Sequence, residues 1–326
     1  MTEGPRMPEA SGRVWSANLG AAAVGIAAIL AVFVVALTIG RPTPVAFCEH
    51  VATQDGGEIG LERSVFVSDA SFASDEPYDI VSSNIAFVNT LKTEHFREEE
   101  IARDALRSYY VDYYLAQVQN GGFSQFVWNS KWSPVEIDLV REGLCAIKAV
   151  NHLALFNESA AFVDRMGPDP LRAYLQRDYW GTNPDRDALD AAHDDRFAEL
   201  SKTEDLIALN AAWLRSLPGL QVKTSDEIRI EIERRVAALP DREERKRAAL
   251  ENEPRYVKLI RALVAKAGQE LSRVTGGDPT HRHNGKRVIA WHFITDKGHH
   301  YMVDADGRAV MFEGATKKPV AEIVAP

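Results

Sequence analysis

The chain has 326 residues, of which 45% are hydrophobic and 26% are charged, and this composition excludes collagen-like, disulfide-dense and wholly disordered proteins. Its net charge of −9 is unevenly distributed. Residues 42–222 carry 15 Lys and Arg against 29 Asp and Glu, whereas residues 223–326 carry 20 against 16. Because an acidic surface repels phosphates, we expect no direct nucleic-acid binding by residues 42–222.

An uncharged segment of 23 residues covers residues 17–39. This length suits a membrane-spanning helix, which needs about 20 apolar residues. Trp15 precedes the segment, and Arg41 and Pro42 follow it. The alternative is a cleaved signal peptide, but its apolar region would be about 7 to 15 residues long and a small-residue cleavage site would follow. We therefore predict a tail at residues 1–16 and a single-pass transmembrane helix at residues 17–39.

The orientation of that helix depends on few charges. Arg6, Arg13 and the amino terminus lie on one side and Arg41 on the other, which favours an extracytoplasmic body by one charge and leaves a cytoplasmic body open. Cys48 and Cys145 could pair in an oxidising compartment, but Cys145 lies in an apolar stretch typical of a buried free thiol. The cysteines therefore leave the compartment open.

Residues 40–77 are rich in turn-forming residues and are predicted to be a tether. Helical periodicity then begins near Tyr78 and continues to residue 222, with short polar loops between segments. The predicted helices cover residues 98–120, 134–157, 159–166, 169–179, 187–210 and 211–216. We therefore predict a multi-helix domain at residues 78–222.

The remainder, residues 223–326, is predicted to combine charged helices with a small sheet. A helical pair broken at Pro240 precedes a last helix at residues 255–274. Alternating apolar residues then predict three strands in an antiparallel meander, at residues 287–295, 299–303 and 308–312. The predicted fold class is mainly α, with an N-terminal transmembrane helix, a multi-helix domain and a small C-terminal α+β part.

One motif stands at the end of the first long helix of this domain. The double glycine allows the chain to leave the helix through positive φ, two aromatic rings can be buried, and the amides can satisfy exposed backbone groups. Its residues are Asn120, Gly121, Gly122, Phe123, Gln125, Phe126, Asn129 and Ser130. We interpret these residues as a structural turn that joins two helices and as a possible binding turn.

The same motif resembles the signature of the bacterial DNA-mimic protein family, and the resemblance extends over roughly residues 78–222. It implies a helical domain that displays carboxylates where DNA displays phosphates and thereby occupies a DNA-binding protein. At helical spacing, Asp187, Asp190 and Asp194 would share one face and form such an acidic surface. The alternative is an ordinary amphipathic surface helix.

An enzyme would have to use the histidines near the C-terminus. If residues 296–298 form a three-residue hairpin loop, His292 and His300 lie on one face and could share a metal ion. No third ligand is fixed by spacing, and no recognised phosphate loop, nucleophile motif or zinc motif occurs in the sequence. We therefore predict a protein that is not an enzyme and has no cofactor.

The sequence thus predicts a membrane-anchored binding or regulatory module that engages a basic protein partner through an acidic surface. The first alternative is an envelope scaffold whose acidity serves solubility alone. The second is a metal-dependent hydrolase that uses the C-terminal histidines.

Overall fold

A computed structural model describes Cys48, residues 64–177, Tyr179 and residues 183–325. The structure contradicts the predicted single-pass membrane localisation, because none of the helices in these residues is long and apolar enough to cross a bilayer. The predicted tail at residues 1–16 and the predicted membrane helix at residues 17–39 lie outside the described residues. The same finding gives no support to the membrane as a partner or to the extracytoplasmic position of the body, since both depended on that helix.

The first structural unit is a helical domain with one short two-stranded sheet. Strand β1 (Phe66–Ser68) pairs in parallel with β2 (Gln221–Lys223), so that the start and the end of this unit meet. Its helices are α1 (Asp69–Ala73), α2 (Pro77–Thr93), α3 (Arg103–Asn129), α4 (Pro134–Ala146), α5 (Val150–Met166), α6 (Pro168–Gln176), α7 (Pro184–Ala191), α8 (Asp194–Leu200) and α9 (Leu206–Ser216).

Helix α3 lies at the centre of this domain. Its apolar residues recur every three or four positions and point into the core, where Leu106, Val111 and Tyr114 are almost completely buried. Helices α2, α4 and α9 pack along it. The mainly helical structure predicted for residues 78–222 is therefore confirmed.

Two boundaries differ from those predicted. Residues 65–67, assigned to the tether, are buried in the core, because β1 needs β2 as its partner and that pairing is invisible in local sequence. The predicted helix at residues 187–210 is three helices, α7 to α9. A new N-terminal cap begins the last of them at Asp205, whose carboxylate accepts hydrogen bonds from the amides of Ile207 and Ala208.

Helix α10 (Ser225–Ala238) closes over β1 and α2. Its Arg235 guanidinium lies 5.1 Å from the ring centroid of Phe66 and 5.6 Å from that of Phe87, and it pairs with Glu231 at 2.8 Å. Helix α11 (Arg242–Asn252) follows after the predicted break at Pro240. The predicted charged helical pair is therefore present, and cation–π contacts attach its first member to the core.

The second unit combines helix α12 (Arg255–Lys266) with an antiparallel sheet of strand order β3-β6-β7-β8-β9. Its strands are β3 (Leu271–Asp278), β6 (Ala290–Thr295), β7 (Gly298–Ala305), β8 (Arg308–Glu313) and β9 (Pro319–Val324), and a small hairpin, β4 (Arg282–His283) with β5 (Lys286–Arg287), is inserted before β6. Leu259, Ile260 and Leu263 of α12 are buried in the same cluster as Phe293 and Met302 of the sheet.

The sheet is larger than the three-stranded meander predicted. Helix α12 ends at Lys266 and not at the predicted Val274, because Gly268 takes positive φ just past the helix end and stops it. Residues 271–278, predicted partly as helix, form the edge strand β3, and Gly276 and Gly277 lie within that strand. The predicted small α+β part is confirmed with these changed boundaries.

A disulfide joins Cys48 to Cys145 across 97 positions of the chain. Cys145 lies on α4 and is 8% exposed, so it is buried as expected but not a free thiol. Local sequence could not decide between the two, because pairing depends on where residue 48 meets α4. The bond fixes a point near the N-terminus to the helical core.

We expect the Cys48→Ala/Cys145→Ala variant to unfold at lower urea concentration than the oxidised wild type. A disulfide typically stabilises a protein by about 2–4 kcal/mol, and the effect is larger for longer closed loops. Urea unfolding with and without reductant measures the effect. The wild type should lose stability on reduction and the variant should not; equal stability of oxidised and reduced wild type would contradict a stabilising role.

Candidate functional site

The glycine motif lies inside α3, at a break in the helix. Gly121 has φ −159° and ψ 26°, and Gly122 has φ 83° and ψ 175°, so neither residue is helical. A second helical segment starts at Phe123. Its first backbone N–H groups therefore have no carbonyl acceptor in the preceding turn.

Two carboxylates from distant helices accept these hydrogen bonds. Asp194 Oδ1 accepts from the Phe123 amide at 3.0 Å, and Asp190 Oδ1 accepts from the Ser124 amide at 2.8 Å. Asp190 Oδ2 also accepts from the Ser124 hydroxyl at 3.0 Å. Negative charge is favourable at a helix N-terminus, so both carboxylates stabilise the second segment of α3.

Gly122 is required at the break for two reasons. Its positive φ strains any residue that has a side chain. A Cβ atom there would also lie 2.4 Å from Asp190 Oδ1 and 2.6 Å from Asp194 Oδ2. The glycine thus lets both carboxylates approach the backbone.

Aromatic rings surround this contact from the core side. Phe123 and Phe126 are fully buried, as the motif predicted. The Phe123 ring stacks on His193 with 4.5 Å between centroids and 15° between planes. The predicted burial of the two rings is therefore observed, and His193, which the sequence did not indicate, is buried with them.

His193 is fully buried and links Asp194 to the centre of the core. Its Nδ1 lies 3.1 Å from Asp194 Oδ1, and its Nε2 lies 2.6 Å from the Tyr114 hydroxyl. Burial lowers the pKa of His193, which favours the neutral ring. A neutral ring that donates from Nδ1 to the carboxylate and accepts at Nε2 from the tyrosine satisfies all three groups.

Two further tyrosines bind the carbonyl groups at the break. The Tyr179 hydroxyl donates to the Gly121 carbonyl at 2.9 Å, and the Tyr174 hydroxyl donates to the Ser124 carbonyl at 2.9 Å. Burial raises the pKa of Asp190, and the bonds from Ser124 act in the opposite direction. Side chains therefore bind both the free amides and the free carbonyl groups at the break.

The acidic row predicted at residues 187, 190 and 194 is not a continuous row. Helix α7 ends at Ala191 and α8 begins at Asp194, so helical spacing does not continue from one to the other. Asp187 is exposed and pairs with Arg186 at 3.0 Å. Asp190 and Asp194 point towards the glycine break instead, because its free amides attract them.

The amide residues of the motif also act differently from the prediction. Asn129 and Gln125 donate to the Gln117 side-chain oxygen at 2.5 and 2.9 Å, and Asn120 donates to Gln125 at 3.2 Å. These amides therefore connect the two segments of α3 to each other rather than to exposed backbone groups. Ser130 caps the end of α3, where its amide donates to the Phe126 carbonyl at 3.0 Å.

A second cluster, of tyrosines and carboxylates, lies beside α3 and was missed at the sequence level. The Tyr110 hydroxyl donates to Glu98 and accepts from Lys92 Nζ at 2.8 Å. Burial, with a smaller effect of the Glu98 charge, raises the pKa of Glu136 to about 7. The paired tyrosines at residues 109–110 and 113–114 are the sequence signal that could have indicated it.

His292 and His300 do not share a face of the sheet. The hairpin loop has two residues, not three, so His292 lies opposite Tyr301 and His300 lies opposite Phe293. His300 is buried on the α12 side, where its Nδ1 lies 3.0 Å from the Gly298 carbonyl. The alternative of a shared metal ion at His292 and His300 is therefore wrong, and the residues described contain no group of three or more His, Cys, Asp or Glu placed to hold a metal ion.

The geometry defines a helical domain built around α3. This central helix is broken at two glycines, and two carboxylates cap the segment that follows the break. Residues 99–217, about a third of the chain, match the family model described as DMP19-like protein. This match confirms the predicted resemblance to DNA-mimic proteins. The matched segment contains the glycine break and both capping aspartates. Neither the search of curated proteins nor the search of solved structures found a match.

The Gly122→Ala variant should be much less stable than the Gly167→Ala variant. Both glycines have nearly the same backbone conformation, with Gly167 at φ 80° and ψ 167°, but a Cβ on Gly167 meets no atom within 4 Å. Backbone strain of about 1–3 kcal/mol applies to each. Loss of a charge-assisted hydrogen bond should add about 1.5–3 kcal/mol to Gly122→Ala alone. Urea unfolding measures the difference, and equal destabilisation would contradict the carboxylate contact.

The Glu136→Gln variant tests the second cluster through pH. The folded protein raises the pKa of Glu136 from 4.5 to about 7, so the folded state binds more protons than the unfolded state between these values. Wild-type stability should therefore fall as pH rises through this interval, and Glu136→Gln should remove that part of the fall. We therefore expect the free energy of unfolding of Glu136→Gln, relative to that of the wild type, to be higher at pH 8 than at pH 4.5. Exposed Glu99→Gln is the control, and a pH-independent difference would contradict the burial of Glu136.

Proposed function

We propose that the helical domain is a non-enzymatic binding module that engages a protein which normally binds DNA, and that its surface carboxylates make the contact. The observation that carries this proposal is the coincidence of the family match with an excess of acid. Residues 99–217 contain 19 Asp and Glu against 12 Lys and Arg. A basic surface that binds phosphates also attracts carboxylates held at similar spacing.

The geometry distinguishes structural carboxylates from available ones. Asp190 and Asp194 hold the glycine break and would not be free for a partner. Asp187 on α7, and Asp195 and Glu199 on α8, are exposed. Asp195 and Glu199 are four residues apart, which places their Cβ atoms about 6 Å apart on one side of the helix.

Helix α8 presents these carboxylates beside α5. Asp195 and Glu199 line a surface pocket of 380 Å³ together with Asn151 and Arg196. The Arg196 guanidinium pairs with Glu158 of α5 at 2.5 Å. The acidic surface we propose therefore lies on α7 and α8, beside α5, and it is defined by Asp187, Asp195 and Glu199.

Internal ion pairs would not prevent a basic partner from binding here. Asp187 pairs with Arg186, and Glu199 pairs with Lys202 at 2.6 Å. Exposed pairs of this kind contribute about 0–1 kcal/mol, so exchanging them for a partner's guanidinium groups costs little.

The glycine break fixes the position of the helix that carries two of these carboxylates. Asp194 is the first residue of α8 and bonds the Phe123 amide, so the position of α8 depends directly on α3. The break thus serves the proposed function by fixing where the acidic helices lie.

A displacement assay tests the proposal with a defined probe. Bacterial DNA-binding proteins are loaded on DNA–cellulose at low salt, and the purified chain is added. We expect the chain to release a subset of these proteins, with release weakening steeply as salt rises. The Asp187→Asn/Asp195→Asn/Glu199→Gln variant should lose most of this activity.

The matched control neutralises three exposed acids outside the family segment, Asp226→Asn/Glu233→Gln/Glu244→Gln. It should release the same proteins as the wild type. Failure of the wild-type chain to release any protein, or equal loss in both variants, would contradict the proposal and favour acidity that serves solubility alone.

A further inference from the structure

The outer face of the C-terminal sheet, which points away from α12, carries a group of aromatic and histidine side chains. Tyr301 of β7 stacks on Phe312 of β8 with 5.0 Å between ring centroids. His292 of β6 lies next to them, 5.6 Å from the Tyr301 ring. This face belongs to the second unit and plays no part in the proposed binding of a DNA-binding protein.

Two histidines on this face point nitrogen atoms at each other. His292 Nδ1 lies 3.0 Å from His299 Nε2, and their rings are 5.1 Å apart and nearly parallel. The sheet register explains the contact, because His299 lies opposite Ile294 and is therefore the diagonal neighbour of His292. His299 is exposed and His292 is half-buried, so solvent reaches the pair.

Gly314 lies directly beside the His299 ring. The Gly314 amide donates to the His299 carbonyl at 2.9 Å. A Cβ atom on Gly314 would lie 2.1 Å from His299 Nδ1, and no positive φ accounts for a glycine there. The glycine therefore leaves room for the imidazole, with Nδ1 packed against the backbone and Nε2 directed at His292.

We propose that His292 and His299 form an open two-histidine site for a divalent transition metal ion, with Cu²⁺ as the preferred ion. Imidazole nitrogens bind such ions at about 2.0–2.1 Å, so two ligands at a right angle lie about 2.9 Å apart. The observed 3.0 Å fits this arrangement, which is typical of tetragonal Cu²⁺.

Water completes the coordination, since the described residues offer no third protein ligand within reach. The hydrogen atom that now lies between the two nitrogens is displaced. It moves to the far nitrogen of its own ring, so both imidazoles bind as neutral ligands and no electron transfer is involved. The site thus differs from the pair His292 and His300 that the sequence suggested.

Calorimetric titration of the full chain with Cu²⁺ tests the site, and pulsed electron paramagnetic resonance identifies the ligands. We expect a saturable site with two coordinated imidazoles. His292→Ala and His299→Ala should each weaken binding at this site at least tenfold. Gly314→Ala should weaken it as well, because it displaces a ligand ring without removing it.

His283→Ala is the matched control, because His283 lies near the same face, 5.8 Å from the Phe312 ring, and makes no contact with the pair. It should bind Cu²⁺ as the wild type does. Circular dichroism verifies that each variant is folded. A wild-type spectrum without two imidazole ligands, or binding unchanged in both His292→Ala and His299→Ala, would overturn the proposal; the spectrum decides even if the variants unfold.

Discussion

The helical domain depends on two carboxylates that replace the missing acceptors of a broken helix. Where α3 stops at Gly121 and resumes at Phe123, two backbone amides would otherwise be left unpaired at the edge of an aromatic core. An unpaired buried amide costs about 1–3 kcal/mol. Asp190 and Asp194 remove that cost and add charge–dipole attraction at the new helix start. The break is therefore a junction of three helices rather than a defect.

This junction determines both the core and the surface of the domain. On the inside, Asp194 orients His193, which stacks on Phe123 and accepts a hydrogen bond from Tyr114. On the outside, α7 and α8 are held by their aspartates, so their remaining acids face solvent. A single set of contacts thus divides the acidic residues of α7 and α8 into those that build the fold and those available to a partner.

The sequence predicted the parts of this architecture that depend on local pattern. The double glycine indicated the break, and the aromatic residues after it indicated a buried turn, because positive φ and apolar character are local properties. It could not predict that Asp190 and Asp194 bind the break, because they lie more than 60 positions away and their helical spacing suggested an exposed row. A hairpin loop one residue shorter than expected moved His300 to the opposite face, since each step in register reverses the face.

Native-state hydrogen exchange of the Phe123 and Ser124 amides tests the carboxylate junction most directly. If Asp194 and Asp190 bind these amides in the folded domain, both should exchange with free energies close to that of global unfolding. The Asp190→Ala variant should then lose protection at Ser124 more than at Phe123, and Asp194→Ala should show the reverse. Exchange of both wild-type amides at the rate of an exposed loop would contradict the account.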